Sequence, residues 1–451
     1  MNKKLIAVAV ASAFGIPSLA LAQFSVPNGV AGSNASGSSV TISGKLNYIY
    51  GQYANGGQGN SLQTTNTAAL TPGTANLLSG HSALSNSESQ IDIKGSEALG
   101  GGLSAWFQCG TSIDVTGSNA ATGNAGLCGR NSAIGMKGNF GNAYIGNWDT
   151  PQKMAIARFT LFSQSEPLGN SLLFNGAAAA DSGNVALIST SSGLNQNGGG
   201  SNFWRRQSRL MTYITPVMSG LQASVGMSTD GEANFQSAGT INQKPRMYSF
   251  GATYDNGPVT LGLGVEQHRG YNPSAVTGLT AATSLPTSQG NGYIGGTDNI
   301  INYAAKYSFG NAGFVNFIYS DIKYQISGDL NTSLKNWTVN GRWNLGGPHA
   351  IQLGYVNVGS TSGTFGGGTA ATTGVPFRVG QAIANGGAGN TGAQKYQAEY
   401  VYAFSKRTEL GLRYAMVKND SQANYTIGSN GTIGGFGEKQ SYTGLRLTHS
   451  F

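Results

Sequence analysis

Charge is scarce in this chain: Asp, Glu, Lys and Arg together make 10% of its 451 residues, against about 25% in an ordinary soluble domain. That shortage excludes a solvated helical bundle and a disordered chain held open by like charge. Cysteine and histidine are scarcer still, at two and four residues. Cys109, Cys128, His81, His268, His349 and His449 match no zinc spacing, so neither a disulfide scaffold nor a metal site is expected. None of the histidines has a sequence context suggesting a nucleophile or paired carboxylates, which argues against an enzyme. No strand is followed by a phosphate loop ending in Gly-Lys-Ser or Gly-Lys-Thr, and no cofactor is expected. Lys and Arg are dispersed without a basic run, so nucleic acid is not an expected partner despite the basic balance. Past the first two dozen residues no apolar run approaches the ~18 residues that a spanning helix needs.

What is abundant is glycine and aromatic surface. Gly occupies 70 positions, roughly twice the usual share of about 7%, and Phe, Trp and Tyr make 10%. The N-terminus stands apart from the rest. Lys3 and Lys4 precede an apolar stretch from Leu5 to Leu21, and Ala20-Leu21-Ala22 supplies the small-x-small pattern of a signal-peptidase site. Residues 1–22 therefore read as a cleaved signal peptide, 23–39 as a short leading segment and 40–451 as a single domain. Cleavage leaves 24 Lys and Arg against 18 Asp and Glu, a net charge of +6. Export places Cys109 and Cys128 in an oxidising compartment. A disulfide between them is expected, closing a loop worth about 3 kcal/mol of chain entropy.

Beyond residue 39 the chain alternates with period two, the signature of strands. Tyr396, Ala398, Tyr400, Tyr402 and Phe404 share one parity, with Gln397 and Glu399 on the other. Leu445, Leu447 and Phe451 oppose Gly444, Arg446 and Thr448 in the same way. The stretches run about 9–12 residues, the length of a tilted strand that crosses a bilayer. Sixteen of them are expected, joined alternately by seven tight turns and long segments rich in Gly, Ser, Thr and Asn. The turns are Gly100-Gly102, Asn139-Gly141, Met218-Gly220, Asn256-Pro258, Gly310-Ala312, Gly346-Pro348 and Ser405-Arg407. The fold class is thus all-β: a 16-stranded antiparallel transmembrane β-barrel with long extracellular loops and short periplasmic turns. A barrel of that size keeps a wet interior.

Parity then sorts the charges. A Lys or Arg facing lipid at mid-membrane costs about 2–4 kcal/mol, so the polar parity faces the lumen. It carries Lys45, Asp92, Lys94, Glu266, Lys306, Arg342, Glu399, Arg413 and Arg446. In the run Arg205-Arg206-Gln207-Ser208-Arg209, parity points Arg206 inward and Arg209 less clearly. Arg130 falls on the lipid parity, at a loop end. On the same barrel a substrate-selective channel or a surface adhesin is the alternative; Tyr48, Trp106, Tyr144 and Trp148 would form an aromatic slide in the former.

Five ordered pieces resemble the Gram-negative general porins, especially those of beta-proteobacteria. They are Val40–Tyr53, Ser89–Gln108 (SQIDIKGSEALGGGLSAWFQ), Arg130–Pro151 (RNSAIGMKGNFGNAYIGNWDTP), Tyr213–Gly220 (YITPVMSG) and the closing Tyr442–Phe451. The resemblance implies an outer-membrane homotrimer that passes ions and small hydrophilic solutes by diffusion. Its surroundings would be outer-membrane lipid and lipopolysaccharide, and the barrel-assembly machinery would act on a chain ending in Phe451. It further implies that the third long connection, 151–204, folds into the lumen and narrows the pore. That connection holds Glu166 and Asp181, with Asp149 at its root, the cations Lys153 and Arg158, and an alanine run at 177–180 that fits one helical turn. Many family members carry arginine where Asn147 stands. Lys45, Lys94 and Arg206 are then expected to face the acids of this loop, setting a transverse field with a mild anion preference.

Overall fold

The computed structural model describes residues 24–26, 38–56, 80–116, 126–162, 168, 203–229, 246–271, 296–325, 331–360, 362, 390, 392–421, 423, 425, 427 and 437–451. In them the alternating stretches pair antiparallel, neighbour to neighbour, into a closed barrel of sixteen spanning strands. β1 is Ser39–Gly56, β2 is one strand in two pieces (His81–Asn86 and Gln90–Gly100), β3 is Leu103–Ser112, β4 Ser132–Gly138 and β5 Gly141–Asp149. β6 (Arg206–Ile214), β7 (Leu221–Ser228), β8 (Arg246–Asn256), β9 (Val259–Tyr271) and β10 (Gly296–Ser308) continue the wall. β11 (Gly313–Gln325), β12 (Asn331–Gly346), β13 (His349–Val358), β14 (Ala393–Ala403), β15 (Thr408–Asn419) and β16 (Lys439–Ser450) complete it.

Closure joins β16 to β1, from Lys439 opposite Gly56 to Ser450 opposite Lys45. Phe451 extends the seam by exchanging both backbone hydrogen bonds with Gly44, at 2.8 and 3.0 Å. A β-carbon on Gly44 would collide with the Phe451 ring, so glycine makes room for the terminal side chain. Beyond that point Phe24–Val26 pairs with Val40–Ile42 and covers the remaining edge of β1. The break in β2 is a local device. Glu88 takes a φ of 62°, and Asn47 bridges the gap by donating its side-chain amide to the Ser87 carbonyl at 2.7 Å.

The expected parity holds on the outside. Tyr50, Ile134, Ile145, Tyr303, Leu412 and Leu447 are exposed and face outward, while Phe140, Phe309 and Phe404 gather at the tight-turn end. Inside, the pattern departs from the expected polar lining. Ile300, Ile318, Ile322, Leu334, Val356 and Val417 all lie on the inner parity and are buried. They join a cluster with Phe159, Phe162 and Leu168, which follow β5, and with Tyr425 and Ile427, which follow β15. Apolar inner-wall side chains are compatible with a wet barrel because segments of the chain's own loops cover them.

Candidate functional site

The segment after β5 is where the interior is furnished, and it opens with a helix, α1, at Pro151–Ala157. Thr150 caps it, its hydroxyl accepting from the Lys153 amide at 3.4 Å, and Pro151 holds the first helical position, where its missing N–H costs nothing. In this connection the sequence predicts only a turn at 177–180, which lies outside the described residues; Thr-Pro ahead of Gln-Lys-Met-Ala-Ile-Ala is the local signal that marks α1. α1 lies on β7–β10. Glycines form its seat: a β-carbon on Gly264 would sit 2.9 Å from Ile156 and 3.0 Å from the Gln152 carbonyl, and one on Gly251 would overlap the Pro151 carbonyl. Arg158 pins the far end, donating to both carboxylate oxygens of Asp255 at 2.8 and 2.9 Å. Past the helix, Phe159 accepts from Asn340 at 3.2 Å and the Leu168 carbonyl accepts from Gln397, so these two residues lie on the inner face of β12 and β14.

The charged side chains of β1, β2, β5 and β6 are linked to α1 through Lys153, which pairs with Asp149 and lies in the field of Arg206 and Glu88. Lys45 lies 3.6 Å from Glu88, and Lys94 lies 3.9 Å from Asp92. Asp149 accepts from Lys153 at 2.5 Å and from the Asn131 amide at 2.8 Å. Burial pushes the Lys153 ammonium below its ordinary value, and Asp149 pulls it back up. Arg130, just outside β4, is lowered by burial and by Arg206, and supported by Glu88, Asp149 and Asp92. These groups therefore share one electrostatic neighbourhood. Glu166 and Asp181 lie outside the described residues.

The Arg205–Arg209 run departs from simple alternation. Asn147 is opposed by two residues, because Gly146 pairs with Leu210 and Trp148 with Gln207. Arg209 takes a φ of 51° at this bulge and is exposed. The extra residue shifts the inward parity, so Arg205 and Gln207 become buried. Arg205 reaches His268 at 3.1 Å and Glu266 at 3.9 Å, and the Phe203 ring stacks on His268 at 4.6 Å. Arg206 is half-buried beside its register partner Asp149. Neither Arg205 nor Glu88 stands out from the residues alone, since a bulge and a strand break decide their places.

The remaining inner charges are held in the wall. Glu399 accepts from Arg413 at 3.0 Å and from Arg446 at 2.6 Å. Arg446 also lies 3.3 Å from Glu409 and donates to Thr448 at 2.6 Å. Thr448 donates in turn to Asn47 at 2.7 Å, across the β16–β1 seam. The Lys306 ammonium sits 4.2 Å over the Phe314 ring, and Arg342 donates to Asn344 at 3.2 Å. Cys109 and Cys128 are bonded, with α-carbons 4.5 Å apart. Trp106, Tyr144 and Trp148 come together on the inner wall. Tyr48 does not join them; its hydroxyl accepts from the Val115 amide at 2.7 Å.

Comparison with known proteins agrees with this architecture. A family model described as Gram-negative porin matches residues 7–422. Outer membrane porin protein 32 of Delftia acidovorans is 25% identical over 369 residues, 81% of this chain and 85% of that protein. Major outer membrane protein P.IB of Neisseria gonorrhoeae is 31% identical over 117 residues, 26% of this chain and 32% of that one. Among solved structures, an anion-selective porin from Comamonas acidovorans superposes with a TM-score of 0.64 at 22% identity, covering 92% of this chain and 100% of that one. OmpT of Vibrio cholerae in its trimer form gives a TM-score of 0.55 at 10% identity, over 92% and 99% of the two chains.

Proposed function

Since this chain belongs to the Gram-negative porin family, its barrel is an outer-membrane channel for passive diffusion, and we propose that solutes pass between α1 and the wall of β1–β6 with a mild preference for anions. One observation carries the preference. Among the described residues, five bases, Lys45, Lys94, Arg130, Lys153 and Arg206, share the neighbourhood with three acids, Glu88, Asp92 and Asp149. An excess of fixed positive charge in a narrow passage raises the local concentration of anions and rejects cations. The anion-selective relative from Comamonas acidovorans supports the same reading. Replacing Lys45 and Lys94 together by Ala is expected to move the reversal potential under a salt gradient towards that of a cation channel. An unmoved potential would remove both lysines from the passage.

The export signal at 1–22 and a homotrimeric assembly belong to the same proposal. The trimer form of the Vibrio cholerae neighbour supports the latter. Unheated protein in a detergent gel should migrate as a trimer, and voltage should close reconstituted channels in three equal steps. Migration as a monomer with single-step closure would exclude the trimer.

A further inference from the structure

The Trp106–Tyr144–Trp148 cluster lies where the barrel pattern calls for polar or small residues, and we propose that it is a subsite for aromatic carboxylates. The proposal rests on the diffusion-channel reading and names a solute class for that pathway. All three rings lie on the inner face of β3 and β5, with centroids 5.4, 5.5 and 5.9 Å apart and planes at 57–72°. Gly135 of β4 makes the space between them, since its β-carbon would stand 2.8 Å from the Trp106 ring and 2.6 Å from Tyr144. Trp106 is oriented by donating its indole N–H to Asn142 at 2.8 Å. Tyr144 is buried beneath α1, its hydroxyl 3.6 Å from the Met154 sulfur.

Unlike Tyr144, the two tryptophans are only partly buried. Apolar rings grouped at the edge of an aqueous passage offer stacking area that water solvates poorly. The charge lies one residue further along β5. Asp149 follows Trp148 and carries Lys153 at 2.5 Å, with Arg206 opposite Asp149 and Gln207 opposite Trp148. These charged groups belong to the neighbourhood in which, among the described residues, five bases face three acids, so the rim of the aromatic patch beside Asp149 is positive. A planar ring with a carboxylate on it meets both features at once, whereas chloride or acetate meets only the charge, and a neutral arene only the rings.

The test is solute-dependent block of current through reconstituted full-length protein, comparing phenylacetate, acetate and benzyl alcohol in the same bilayer. Phenylacetate is expected to produce concentration-dependent block that acetate and benzyl alcohol do not match. The ratio of the phenylacetate to the acetate block constant should fall about tenfold on replacing Trp106 and Trp148 by Ala, and recover largely with Trp148→Phe. Because the ratio is read within one conducting channel, a variant that misfolds cannot imitate the effect. Equal block by phenylacetate and acetate, equal block by benzyl alcohol, or an unchanged ratio in the double variant would each overturn the subsite. Anion preference in plain salt that persists alongside such a result would leave the channel reading standing.

Discussion

Individual charges in this barrel differ less in kind than in their partners. Glu399 and Lys45 both sit on the inner parity, yet Glu399 is 3% exposed and accepts from two arginines, while Lys45 is partly solvated beside Glu88. Removing one partner of a buried ion network leaves unpaired charge behind and costs about 3–5 kcal/mol, whereas a solvated pair contributes little. Glu399→Ala should therefore lower the temperature at which the folded species converts to the denatured monomer on a gel, and Lys45→Ala should leave it nearly unmoved. Equal shifts in the two variants would show that the network across β14, β15 and β16 adds nothing to the wall. The parity of both residues is legible from alternation alone. Their partners are not, because Arg413 and Arg446 reach Glu399 only through strand register and Glu88 reaches Lys45 through the break in β2.

At the scale of elements, α1 shows how a loop becomes part of a pore. Seven residues are too few for a helix to persist alone, so this one depends on its Thr150 cap, its glycine seat and the Arg158–Asp255 pair. Gly251→Val places branched atoms where the Pro151 carbonyl lies, and should raise open-channel noise and change unitary conductance without dissolving the barrel. Arg158→Ala should act in the same direction through the other end of the helix. A conductance trace identical to that of the parent in both variants would mean that α1 does not bound the passage. α1 was not among the elements expected from the sequence, although its Thr-Pro start carries a local helix signal. Its destination on β7–β10 was not legible either, since the glycines that receive it lie some hundred positions away and read locally as ordinary strand glycines.

For the whole molecule, closure is the decisive step, because an open sheet edge in lipid leaves backbone groups without partners. Phe451 ends that edge by pairing with Gly44 and filling the space its glycine leaves. Deleting Phe451 should reduce the yield of heat-resistant folded protein in outer-membrane fractions severalfold; undiminished yield would show that the β16–β1 ladder closes without it. Period-two alternation, tight turns and strand length determined the barrel, its strand number and its outward face by themselves, since each is written in consecutive residues and a bilayer admits few other solutions. Tertiary structure alone decided the rest: the flip from Arg206 to Arg205 at a bulge, the apolar inner wall beneath Phe159 and Phe162, and the meeting of Arg206 with Asp149. Those depend on how far one strand slides past the next and on where a returning loop comes to rest, and both are settled by contacts between residues distant in the chain.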